Sequence, residues 1–329
     1  MSATPTRRTV AVMVLIPALA ALALWAFAWP ASRTAPRELP VGVAGPAAAA
    51  AQVEQRLEER EGAFDVHRYD DETAARTAIK DRVVYGAVVV TPQGPQLLTA
   101  SAGSPVVAQL LTQAVTAQAP DGTAVKVSDV VATPAGDPRG SALGSSILPL
   151  ALAGVAAGSI VTLLGLRGGR AAAALTGAAI VVGLTSAALA HSWLGVLTGN
   201  WWAEAGVLGL TVLAVGAGMA GLGALLGTRG LALGGLLMVL LGNPFSGAAS
   251  APELLPEPVG MIGQWLPPGA GATLLRSVAY FGGNGAGAAV LTVSLWAALG
   301  LAAVLAAGRR GAQRATPAEH REDRLVPVG

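Results

Sequence analysis

The sequence has no cysteine among its 329 residues. Disulfides, zinc–thiolate sites and cysteine nucleophiles are therefore excluded, and any part outside the cell must hold together by packing alone. Lysine is nearly missing as well. Neither Lys80 nor Lys126 follows a glycine, so there is no Walker A sequence, and ATP-driven work needs a separate subunit. The histidines His67, His191 and His320 stand far apart, which leaves no paired-histidine metal motif, and a Gly-x-Ser-x-Gly nucleophile elbow is absent. Basic residues are not interleaved with aromatics, so no nucleic-acid partner is expected. Without a catalytic constellation or a cofactor or metal motif, the chain reads as a non-enzyme. Charge is also scarce: 12% of residues are charged, against about one quarter in an ordinary soluble chain, while 53% are hydrophobic. That imbalance predicts an integral membrane protein whose first partner is the lipid bilayer.

Arg7 and Arg8 precede an apolar run over 9–29, long enough at 1.5 Å per residue to cross a hydrocarbon core of about 30 Å. A cleaved signal peptide is the alternative, with Ala26-Phe27-Ala28 as its cleavage site. The run exceeds the usual signal core of roughly 7–15 residues, which favours a retained span. Trp25 and Trp29 near its outer end fit interfacial anchors. From 31 to 144 charges of both signs appear, which means water on at least one face. Within this region strands are predicted at 41–45, 63–69, 83–91, 96–100 and 125–131, with helices at 46–61, 72–81 and 104–117. The resulting β-α-β-α-β-β-α-β order implies a small mixed sheet with helices against it, about one hundred residues expected to fold alone as 38–135. Asp70 or Asp71 caps the second helix, and that cap with a solvated face explains Asp65, Asp70, Asp71 and Glu72 more simply than a cation site.

Beyond Arg139 the chain turns apolar again. Spans are expected at 146–166, 171–190, 205–226, 231–243 (short) and 286–307, about six with the first. The predicted fold is an all-α block of about six transmembrane helices plus a small α/β extracytoplasmic domain inserted after the first span. Its parts are a cytoplasmic N-terminus and first helix (1–30), the α/β domain (31–144), a five-span block with a re-entrant or interfacial segment at 243–283 (145–308), and a cytoplasmic tail (309–329). Arg167, Arg170, Arg229, Arg309, Arg310 and Arg314 fall on one side with Arg7 and Arg8, which places both termini in the cytoplasm of a multi-pass cell-membrane protein. The string Gly216-Ala217-Gly218-Met219-Ala220-Gly221 resembles a dinucleotide fingerprint, yet it lies inside a span. Its glycines, like Gly154 with Gly158 and Gly223 with Gly227, are read as close-approach points between helices.

One stretch cannot be a simple span. Leu241-Gly242-Asn243-Pro244-Phe245-Ser246-Gly247 runs on through Pro252, Pro256 and Pro258 to Trp265-Leu266-Pro267-Pro268-Gly269, Arg276-Ser277 and Tyr280-Phe281. So many helix breakers predict a segment that folds back at a membrane surface, with Trp265, Tyr280 and Phe281 at headgroup level. The candidate gate or interfacial residues are Asn243, Pro244, Trp265, Pro267, Pro268, Arg276, Tyr280 and Phe281. Arg276 has two readings: an interfacial arginine whose stem lies on apolar surface while its head reaches water, or a gate residue gripping a phosphate or a carboxylate such as Glu253 or Glu257.

Together with Val83-Val84-Tyr85-Gly86-Ala87-Val88-Val89-Val90 and Ala100-Ser101-Ala102-Gly103, these motifs resemble the membrane proteins related to phage-infection protein, within the type-2 ABC exporter permease superfamily. The resemblance covers most of the chain up to Gly308. It implies a homodimeric permease-like fold, short re-entrant helices after the fifth span, a separate ATP-binding subunit, and export of a hydrophobic or envelope-associated substrate. This chain departs from that pattern in the connection Arg167-Gly168-Gly169-Arg170, which is short for an ATPase-docking element. The alternative function is a non-transporting surface receptor or a scaffold for an envelope or secretion complex.

Overall fold

The computed structural model describes residues 5–92, 94–118 and 125–315; His320 and most of the expected tail lie outside these. Helix α1 (Pro5–Ala31) leads into β1 (Leu39–Ala44), α2 (Ala47–Glu58), β2 (Phe64–Tyr69), α3 (Glu72–Lys80), β3 (Gly86–Thr91), β4 (Gly94–Thr99), α4 (Pro105–Gln118) and β5 (Lys126–Asp129). The five strands form one mixed sheet in the order β2-β1-β3-β4-β5, in which β3 and β4 make an antiparallel hairpin and the other pairs are parallel. Interior strand β1 is apolar throughout, as a strand covered on both faces must be. Asp71 caps α3 by accepting the Ala74 N–H at 2.8 Å, while Glu72 in the first turn takes Arg76 at 2.7 Å.

Each face of the sheet has its own core, and neither is complete within the sheet domain. On one face Leu39, Val41 and Leu97 pack with Val107 and Leu111 of α4 and with Ala251 and Leu254, far along the chain. On the other, Ala44, Ala87, Val89 and Leu98 pack with Ala75, Ala78 and Ile79 of α3 and with Phe281. The isolated fragment 38–135 would leave those contacts open.

The remaining helices make a bundle. They are α5 (Ser141–Leu163), α6 (Gly168–Ala187, prolonged by a π-helical turn Ala188–Trp193), α7 (Trp201–Leu226), α8 (Thr228–Gly235, prolonged by a π-helical turn Leu236–Leu241), α9 (Val259–Trp265), α10 (Pro267–Tyr280) and α11 (Gly287–Ala315). Five helical stretches, Thr9–Ala31, Ser141–Leu163, Gly168–Trp193, Trp201–Leu226 and Gly287–Arg310, are long and apolar enough to cross a bilayer. The stretch Thr228–Leu241 is shorter, roughly 20 Å at 1.5 Å per residue, and reaches only part of the way across a core of about 30 Å. Among the described residues there are thus five long apolar helices and one short one, in line with the expectation of about six spans of which that at 231–243 is short.

Helix α7 is the axis of the bundle and is buried along most of its length, whereas α1 stands almost bare. Neighbouring helices approach α7 closely at glycines. A side chain at Gly158 would meet the Gly216 carbonyl and one at Gly154 would lie 2.6 Å from Val215 Cβ, so each position needs the smallest residue. Gly227 serves a different purpose: with φ +63° and open space around it, it turns the chain between α7 and α8.

Candidate functional site

The stretch 242–286 forms a folded-back cluster between α8 and α11, and its place in the bundle follows from what it touches. Gly271 of α10 abuts Thr211 of α7, and the Trp296 indole donates to the Trp265 carbonyl at 2.9 Å. Trp296 lies roughly 14 Å along α11 from its first residue at 1.5 Å per residue, so the bend at Trp265 reaches toward the middle of the bundle. From there α10, opened by Pro267 and Pro268 in its first turn, climbs back to the sheet domain. The bend is held by its own polar groups. Ser246 Oγ donates to the Asn243 carbonyl at 2.6 Å, Gln264 donates to the Ser246 carbonyl at 2.9 Å, and Thr273 Oγ1 donates to Gln264 Oε1 at 2.8 Å.

Where this cluster meets the sheet domain, charged groups are withdrawn from water. Arg276 is 4% exposed and donates from Nη2 to the Ala248 carbonyl at 2.7 Å. Arg82, on the turn before β3, donates to the Thr273 carbonyl at 3.1 Å and to Ser277 Oγ, and its guanidinium lies 5.3 Å from the centre of the Phe281 ring. A cation there also faces the C-terminal turn of α10, where the helix dipole favours it. Tyr85 donates its hydroxyl to Glu253 Oε2 at 2.8 Å. Burial pushes the Tyr85 phenol above its ordinary range, and the neighbouring Glu253 carboxylate pushes it further. Burial lowers the Arg82 pKa, an effect that Tyr85 and Glu253 offset. Backbone links run alongside: Ala35 N–H donates to the Leu254 carbonyl at 3.1 Å and Arg37 N–H to the Glu253 carbonyl at 3.0 Å. Among the described residues no buried side-chain nitrogen or oxygen lacks a hydrogen-bond partner.

A second polar pair sits at the same end of the bundle. Glu204, in the first turn of α7, is fully buried; it accepts the Gly199 N–H at 2.7 Å and pairs with His191 Nδ1 at 2.7 Å. Tyr280 closes this side by donating to the Val196 carbonyl at 2.7 Å.

The geometry revises several sequence expectations. Asn243 and Pro244 form the first turn of the bend and are half-buried. Trp265 sits at the bend, with its carbonyl on Trp296 and its ring exposed. Phe281 is 7% exposed and completes the sheet's core instead of anchoring in lipid. Arg276 does not snorkel: its head is buried on a backbone carbonyl, and no ion pair joins it to Glu253 or Glu257. Sequence reasoning missed Arg82, Tyr85 and Glu204. The available signal was a lone Glu opening an apolar run, with a lone His thirteen positions earlier.

A bundle of long apolar helices carrying a mixed α/β domain after the first of them defines a multi-pass, membrane-embedded protein. Residues 7–128, the first helix and nearly all of the sheet domain, match the family described as ABC-2 family transporter protein, which supports relationship to the type-2 ABC permease superfamily. The stretch 242–286 lies outside the matched residues. No curated protein and no solved structure gives a match.

Proposed function

We propose that the protein is a permease-like subunit that exports a hydrophobic or envelope-associated substrate, with 242–283 as a gate on the outer side. The observation that carries the gate is the junction itself. Arg82, bonded to Thr273 and Ser277, and Tyr85, bonded to Glu253, tie the sheet domain to a bend reaching toward the middle of the bundle, so a movement of one is transmitted to the other. In this reading residues 31–144 are extracytoplasmic and both termini cytoplasmic, consistent with the gathering of Arg167, Arg170, Arg229, Arg309 and Arg310 at the bundle end remote from the sheet. The subunit works as a homodimer, and the family match supports an ATP-binding partner.

Copurification from native membranes tests the reading. An ATP-binding subunit should accompany the protein, and ATP hydrolysis by the complex should fall when Arg276 becomes Gln while the complex stays intact. Because the chain has no cysteine, single cysteines at Glu59 and Arg309 report topology: a membrane-impermeant maleimide on intact cells should label the first and spare the second. The receptor or scaffold reading is favoured by one feature. The turns at the arginine-bearing end are short, only 164–167 between α5 and α6 and Gly227 between α7 and α8, which leaves little docking surface for an ATPase. Recovery of a secretion or envelope complex without an ATPase would select it.

A further inference from the structure

Helices α2 and α4 lie on the same face of the sheet, and between them is a cavity of about 280 Å³ over Val41, Val88, Val90 and Leu97. Ligand pockets generally span about 300–1,000 Å³, so this one is at the small end. Val88 and Val90 remain half-buried beneath it, and its wall is aliphatic or aromatic except for Gln52, Arg56 and Arg60. Those three recur every four residues along and just past α2, which puts them on one side of the opening. Among the described residues the ion pairs are His67 with Asp65, Arg68 with Glu54, Arg76 with Glu72 and His191 with Glu204. Arg56 and Arg60 thus stand at the rim of an apolar cavity with no carboxylate of their own.

We infer that this cavity binds a single-chain anionic amphiphile: an acyl or similar chain ending in a carboxylate. The chain removes water from the bare sheet face, and the two guanidinium groups receive the head, for which their planar donor forks are suited. Other occupants fit worse. A peptide would bring unpaired backbone N–H and C=O groups against an aliphatic wall. A helix from a second copy is about 10 Å across with its side chains and does not enter a cavity of this volume. The site is separate from the 242–286 junction, and the inference does not require that the chain transports anything.

The test uses the full chain in phosphatidylcholine nanodiscs and a long-chain fatty acid carrying a mid-chain diazirine, with adducts mapped by mass spectrometry after illumination. Adducts are expected on α2 and α4 and should be competed by unlabelled fatty acid. Two exposed charge contacts predict that Arg56→Gln with Arg60→Gln lowers labelling roughly three- to tenfold. The methyl ester of the probe should label the wild type as weakly as the acid labels that double variant. Ala114→Trp, which fills the cavity, should abolish labelling. The double variant changes only exposed side chains, so it remains informative if Ala114→Trp fails to fold. The inference is overturned if adducts are confined to the apolar helices, if ester and acid label equally, if the double variant labels like wild type, or if copies cross-link to one another through this face.

Discussion

Helix α7 and the chain between α8 and α11 share one bundle, and they satisfy their backbones by different means. In α7 the hydrogen bonds are internal, and its two buried polar side chains beyond the Asn200 cap have local partners: Thr211 on the Val207 carbonyl, Glu204 on Gly199 and His191. From 242 to 286 prolines and glycines interrupt the helix, and carbonyls that lose a helical partner gain a particular donor. Asn243 receives Ser246, Ser246 receives Gln264, Ala248 receives Arg276, Trp265 receives Trp296, and Leu254 receives Ala35 and Arg37, while within α10 the Thr273 carbonyl accepts Arg82 as an additional donor. The polar side chains of this apolar stretch are therefore its missing hydrogen bonds. Three of these donors come from the sheet domain or the segment leading to it, and that is how the two regions become mechanically joined.

Substitutions can break this comparison at graded cost. Arg276→Ala should have the largest effect: it orphans the Ala248 carbonyl and removes the packing of a buried side chain, for a loss on the order of 3 kcal/mol. Thermal unfolding of the detergent-solubilised protein measures it. In the internally bonded region the sensitive feature is packing, so Gly158→Leu should cost about 1–3 kcal/mol through overpacking against Gly216 in the same assay. Tyr85→Phe removes one hydrogen bond to Glu253 and should cost about 1 kcal/mol. Trp202→Ala, at a ring exposed on the bundle surface, should stay within about 0.5 kcal/mol and mark the floor of the series. If Arg276→Ala costs no more than Trp202→Ala, the carbonyls of the bend are being satisfied by water rather than by side chains.

Local chemistry was legible in the sequence wherever one residue decides one turn. Asp71 announces its cap, Pro267 and Pro268 announce the start of α10, and the run of Val83 to Val90 announces a strand beside another apolar strand. The sheet's element order followed from the same signals. Legibility ended where partners are distant. Nothing near Phe281 indicates that its ring will be enclosed by the sheet domain, and an arginine followed by apolar residues reads as a membrane anchor until the Ala248 carbonyl is seen beside it. Glu204 looked like the edge of a loop because its partner His191 belongs to a different helical element. The shortness of the stretch that ends at Leu241 was legible too, because Gly242-Asn243-Pro244 follows directly.

The central claim is that the sheet domain and the re-entrant bend open as one unit, and hydrogen exchange on the full-length protein in nanodiscs, wild type against Arg82→Gln, measures it directly. Arg82 is the donor that reaches Thr273 and Ser277 from the sheet side. The account predicts that in the variant the amides of 84–89 and those of 277–281 lose protection together and by a similar factor. Loss confined to either set, with the other unchanged, would contradict it.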